Sequence, residues 1–107
     1  MAGVPAAAFE WAAGAGAGRF RLAGALSLET AAAVLARGSS AFAGERAVSL
    51  DLSGVTHADS AGLSVLLTWV GRARREGRTL AFTAIPDAIV RIARLCAVES
   101  MLTAAGA

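Results

Sequence analysis

Leu50-Asp51-Leu52-Ser53-Gly54-Val55-Thr56-His57-Ala58-Asp59-Ser60-Ala61-Gly62-Leu63 decides how this chain folds. Ala47 to Leu52 supplies β-branched and apolar residues bounded by Glu45-Arg46 and Ser53-Gly54, the pattern of a buried strand. Gly54 to Asp59 reads as a turn, and a helix follows from Ser60 to Arg75. Wound at helical pitch, that segment places Leu63, Leu66, Leu67, Val70 and the stem of Arg74 on one face. Ser60, Ser64, Thr68 and Arg75 form a polar stripe beside it, and Val65 and Trp69 belong to neither. The first N–H groups of a helix lack intrahelical partners, so Asp59 or Ser60 is expected to cap them, worth about 1 kcal/mol. The helix dipole makes the same spot favourable to an anion. Gly62 allows another backbone to approach the first turn.

Outward from this centre the pattern continues. Gly77 stops the helix, Thr79 to Ile85 predicts a strand, and Pro86-Asp87 opens a helix through Ile89, Ile92, Ala93 and Cys96. Cys96 is expected on its apolar side as a small core residue. Val98 to Thr103 reads as a last helical turn. Toward the N-terminus, Arg19-Phe20-Arg21-Leu22 alternates as a half-buried strand does, and Gly24 to Leu26 closes it. Phe9 to Ala13 reads as a short strand reaching it through a turn at residues 15–18. Ser27 is the N-cap candidate for a helix carrying Leu28, Ala31, Ala32 and Leu35. Gly38-Ser39-Ser40 weakens that helix and Gly44 ends it. Met1 to Ala8 is expected to fray. The resulting order, β-β-α-β-α-β-α, implies an α/β fold with a mixed four-stranded sheet and packed helices.

Composition narrows the function. The chain has 107 residues, 56% hydrophobic and 17% charged, the balance of one globular domain. Every cation is arginine, and a formal charge of +2 does not make a nucleic-acid binder. The longest uncharged run, Ser60 to Gly71, falls far short of the ~20 residues of a membrane span. Met1 to Phe9 lacks a basic n-region, so a signal peptide is not expected. One cysteine precludes an internal disulfide and fits a reducing, cytoplasmic compartment.

Several chemical signals fail on inspection. Ala58-Asp59-Ser60-Ala61-Gly62 resembles a nucleophile elbow, but the only histidine, His57, precedes Ser60, and the chain is too short for a hydrolase sheet. Arg72, Arg74, Arg75 and Arg78 read as a solvated helix end, without interleaved aromatic residues. His57 and Cys96 alone do not make a metal site. No phosphate-binding loop with its lysine occurs, so nucleotide hydrolysis would belong to a partner. No catalytic constellation and no cofactor is expected.

Asp51-Leu52-Ser53-Gly54-Val55 followed by Asp59-Ser60-Ala61-Gly62-Leu63 resembles the signature of the STAS domain family. The similarity runs from about Arg19 to Leu102, with the N-terminal strand matching in outline. The resemblance implies a non-enzymatic interaction module with one of two roles. In the Mla-type branch, to which Ser60–Leu67, Asp87-Ala88-Ile89-Val90 and Ala93-Arg94-Leu95 are similar, the small protein binds and supports the ATPase of an ABC phospholipid transporter that maintains outer-membrane lipid asymmetry. It would then lie at the inner face of the inner membrane through that ATPase, with no insertion of its own. In the anti-sigma factor antagonists, a partner serine kinase phosphorylates the position of Ser60, placing roughly two negative charges beside Asp59. The expected partner-docking face comprises Asp59, Ser60, Ser64, Val65, Thr68 and Trp69. For Val65 and Trp69 two arrangements are open: exposure as an apolar hot spot, or burial under a loop or the helix after Asp87.

Overall fold

The computed structural model describes residues 8–104. Eight elements follow in order: β1 (Phe9–Ala13), β2 (Arg19–Leu26), α1 (Ala31–Phe42), β3 (Ala47–Ala58), α2 (Ser60–Glu76), β4 (Thr79–Thr83), α3 (Asp87–Leu95) and α4 (Glu99–Ala104). The strands form one four-stranded sheet in chain order. β1 and β2 are an antiparallel pair, while β2–β3 and β3–β4 are parallel. The expected mixed sheet is therefore present, with α4 as a separate helix after α3. The expected fraying of Met1 to Ala8 falls almost wholly outside the described residues; Ala8 itself accepts a hydrogen bond from Ala25 N at 2.8 Å.

Alternation along β3 fixes which side of the sheet is covered. Val48, Leu50 and Leu52 are buried beneath the helices with Leu22 and Leu80, whereas Ser49, Asp51 and Ser53 occupy the opposite, more open face. On that face Asp51 accepts from Ser53 N at 2.8 Å and pairs with Arg21 at 3.4 Å. The Ser53 backbone N–H, then its hydroxyl, then the Arg21 guanidinium hold the Asp51 carboxyl below the usual carboxylate range.

Helix α2 is the hub, in contact with α1, α3, α4, β3 and β4. Its buried side is wider than one apolar stripe. Leu63, Leu66 and Val70 are buried as the periodicity predicts, and so are Val65, Trp69 and Ala73. The exposed alternative for Val65 and Trp69 is thus corrected: they are 4% and 2% exposed. The cover on Trp69 comes largely from α1, which runs unbroken through Gly38-Ser39-Ser40. Gly38 lies against the Trp69 indole, and a Cβ there would collide with the ring. Phe42 meets Trp69 edge-on at 5.2 Å between centroids, and Trp11 does so at 6.1 Å. Glycine in a helix is locally unfavourable; here it lets two helices close over a tryptophan.

Other expectations change for similarly non-local reasons. β3 continues to Ala58 instead of turning at Gly54, because β2 pairs with it as far as Leu26↔Ala58 through two register shifts. Ser27 does not cap α1. Its N–H donates to Thr30 Oγ1 at 3.1 Å in a turn, and the helix begins at Ala31. Leu28 leaves the predicted apolar face and is 76% exposed. The Arg74 side chain is exposed, and β4 ends at Thr83 instead of Ile85. α3 ends at Leu95, so Cys96 is an exposed cap residue, not a core one.

Candidate functional site

The end of β3 delivers the chain to a corner where Asp59, in extended conformation, precedes the first turn of α2. Asp59 is the N-cap. Its Oδ1 accepts from Ala61 N at 2.9 Å and Gly62 N at 3.2 Å. Its Oδ2 accepts from Leu28 N at 3.1 Å. One carboxylate therefore satisfies two orphan donors of the helix and fastens the Ser27–Thr30 turn to it, in charge-assisted bonds. The turn is braced from its other side, where Thr30 Oγ1 donates to Ala25 O at 2.9 Å. Leu28 is consequently an exposed leucine on an anchored backbone.

Gly62 completes the corner. A Cβ at this position would run into the carbonyl oxygen of Leu26, so the first turn of α2 rests directly on the end of β2. Ser60 is the first helical residue and is exposed. Its carbonyl accepts from Ser64 Oγ at 3.2 Å, and the Ser64 carbonyl accepts from Thr68 Oγ1 at 2.8 Å. These hydroxyls form a ridge along α2, and that of Ser60 is free among the described residues. Between this ridge and α1 lies an open depression of about 340 Å³, walled by Ala31, Ala32 and Leu35. Val65 borders it as a buried residue, not as a projecting contact.

The structure brings Asp59, Ser60, Ser64 and Thr68 to one surface and withdraws Val65 and Trp69 into the core. Leu28 is the surface residue that sequence reasoning missed. Its place in an apolar heptad-like spacing concealed it, and Asp59 reaching across 31 positions is invisible to local pattern. His57 is exposed near the corner, with Nδ1 at 3.0 Å from Thr56 Oγ1. Nothing in this arrangement pairs a nucleophile with a base: the Asp59 oxygens are occupied by backbone donors and serve structure. Among the described residues no helix is long and apolar enough to cross a membrane, and no cluster of three or more potential metal ligands occurs.

The arginine cluster separates into two kinds. Arg75 is exposed at the helix end as expected, and Arg74, whose stem the apolar period placed on the core face, is exposed beside it. Arg72 and Arg78 are half-buried and bonded: Arg72 Nη1 donates to Ser39 Oγ at 2.6 Å, and Arg78 Nε donates to Glu45 O at 2.8 Å.

Residues 11–103 match the family model described as Mlab, STAS domain. None of the curated proteins matches the chain. The matched span covers most of the sequence and both sides of the Asp59 corner, so the chain belongs to the STAS domain family and its mixed sheet with helices on one face is the STAS fold.

Proposed function

We propose that this STAS domain, a protein-interaction module by family, is a non-enzymatic accessory subunit that binds and supports the ATPase of an Mla-type ABC phospholipid transporter. Its site of action would be the cytoplasmic face of the inner membrane, reached through that ATPase. The observation that carries the reading is the match of residues 11–103 to the Mlab model. The Asp59 corner supports a docking role for that surface. Leu28 offers an apolar anchor, and Ser60, Ser64 and Thr68 offer a hydroxyl rim, the usual division between centre and edge of an interface.

The test is co-purification of the tagged chain from its host. Recovery of an ABC ATPase with its permease is the expected result, and Ser60→Asp should then weaken the complex, with Leu28→Ala a second, independent lesion. Recovery of neither protein, with a serine kinase in their place, overturns the transporter reading.

One observation favours a second reading, an anti-sigma factor antagonist: the exposed Ser60 hydroxyl is accessible to a kinase. A phosphate there would stand beside Asp59, whose carboxylate already holds the nearest helix N–H groups. The two anions would compete for them, and the Leu28 turn would loosen. This reading predicts a phosphate mass on Ser60 with cognate kinase and ATP, which the transporter role does not require.

A further inference from the structure

The backbone of β1 is bonded on one side only. At the two ends of its pairing with β2, Gly14 N donates to Arg19 O at 2.7 Å and Ala25 N donates to Ala8 O at 2.8 Å. Bonding alternates along an antiparallel ladder, so the even-numbered residues of this segment face β2. Phe9, Trp11 and Ala13 turn their N–H and C=O groups outward, and no backbone partner meets them among the described residues. Their side chains lie toward the helices, where Trp11 packs on Phe20 and Phe42. Glu10 and Ala12 therefore stand on the open face with Arg21 and Asp51. Edge strands are usually guarded by proline, a bulge or several charges. β1 has no proline, pairs with β2 without a register shift and carries one charge, Glu10.

Charge on the open face decides what fits this edge. One row crosses the sheet as Ala12–Arg21–Asp51–Thr83. Arg21 pairs with Asp51 on one flank and has only the Ala12 methyl on the other. Glu10 is exposed, with no cation within 4.0 Å among the described residues. Laid antiparallel to itself about Trp11, β1 matches Phe9 with Ala13 and Glu10 with Ala12 over its full length of 5 residues. Glu10 then extends the row of the second copy, with one methyl between it and that copy's Arg21. At strand spacings of about 4.8 Å, two long side chains span that gap. Centring the pair on Glu10 instead would set two carboxylates opposite each other and shorten the overlap. We propose that β1 is a self-association edge, at which two copies of this chain join antiparallel about Trp11 into one continuous, twofold-symmetric sheet. Glu10 of each copy pairs with Arg21 of the other. The edge shares no residue with the Asp59 corner, so it stands whether or not the transporter reading does.

The experiment is sedimentation equilibrium of the full chain from about 10 μM to about 1 mM. A reversible monomer–dimer equilibrium is expected, because one short strand a side makes a small interface. Ala13→Pro should weaken the dimer tenfold or more. The Ala13 N–H faces away from β2, so proline spares the existing ladder and removes a donor from the new one. Glu10→Arg should weaken it by a similar factor, since it sets two cations in one row. Amide exchange reads the geometry: Phe9, Trp11 and Ala13 should slow as concentration rises, while Glu10 and Ala12, already bonded to β2, should not change. A chain that stays monomeric over this range overturns the proposal, as does a dimer that persists in folded Ala13→Pro protein. Slow exchange at Phe9, Trp11 and Ala13 in the monomer would mean that another segment of the chain covers the edge, which overturns it equally.

Discussion

Two rows of residues on the same helix, one position apart, have opposite fates. Ser60, Ser64 and Thr68 form a hydroxyl ridge bordering solvent, while Val65 and Trp69 are buried. A step of one residue rotates the side chain by about 100° on a helix of this pitch, enough to move it from the surface to the core. What decides the boundary is α1. A glycine at position 38 lets it lie close against the Trp69 indole, and small residues at 31 and 32 leave the ridge beside it open. The solvent-facing row is thus defined by its neighbour as much as by its own chemistry.

This contrast can be broken most forcefully from the buried side. Trp69→Ala removes the centre of the aromatic group with Trp11 and Phe42, and should cost about 3–5 kcal/mol in denaturant unfolding. A loss of partner affinity at unchanged stability would mean that Trp69 faces solvent after all. Gly62→Ala comes next: the new methyl meets the Leu26 carbonyl, and about 1–3 kcal/mol of destabilisation is expected. Asp59→Ala should remove roughly 0.5–2 kcal/mol, the worth of an N-cap. It should also speed amide exchange at Leu28, which a cap acting on α2 alone would leave unchanged. On the exposed side, Leu28→Ala and Ser60→Asp should each leave stability within about 0.5 kcal/mol, yet weaken partner capture. Parallel unfolding curves and pull-downs separate the two rows directly.

The smallest effect concerns acid. The folded state holds the Asp51 carboxyl below its ordinary range, so its contribution is present above the unfolded-state value near 3.8. It is lost as pH falls through the lower folded value. Asp51→Asn should therefore flatten the acid limb of the stability curve slightly, read by thermal unfolding in a series of acidic buffers.

The elements legible in the sequence are those whose cause is local. β2 opens with the alternating Arg19-Phe20-Arg21-Leu22, and α2 carries a cap, an apolar period and Gly77 in left-handed conformation at its end. What escaped was set by contacts far along the chain. The extension of β3 to Ala58 depends on β2, and Thr30 displaces Ser27 by bonding the backbone that precedes it. The Asp59 corner was half legible: the motif singled out Asp59 and Ser60, but not the bond that ties Leu28 to them. The choice between exposure and burial for Trp69 is not legible from one apolar stripe, because α2 packs on a sheet and on another helix together.

Gly62 has a consequence for how the corner meets a partner. With its Cα pressed on the Leu26 carbonyl, the start of α2 has no room to swing or slide against β2. Ser60 stands two residues away, and Leu28 is tied to the same turn through Asp59. A protein docking here, as proposed, would meet a surface with little freedom to rearrange, so little ordering entropy would oppose association. Force applied to Ser60 passes into the sheet through stiff contacts, as through a rivet.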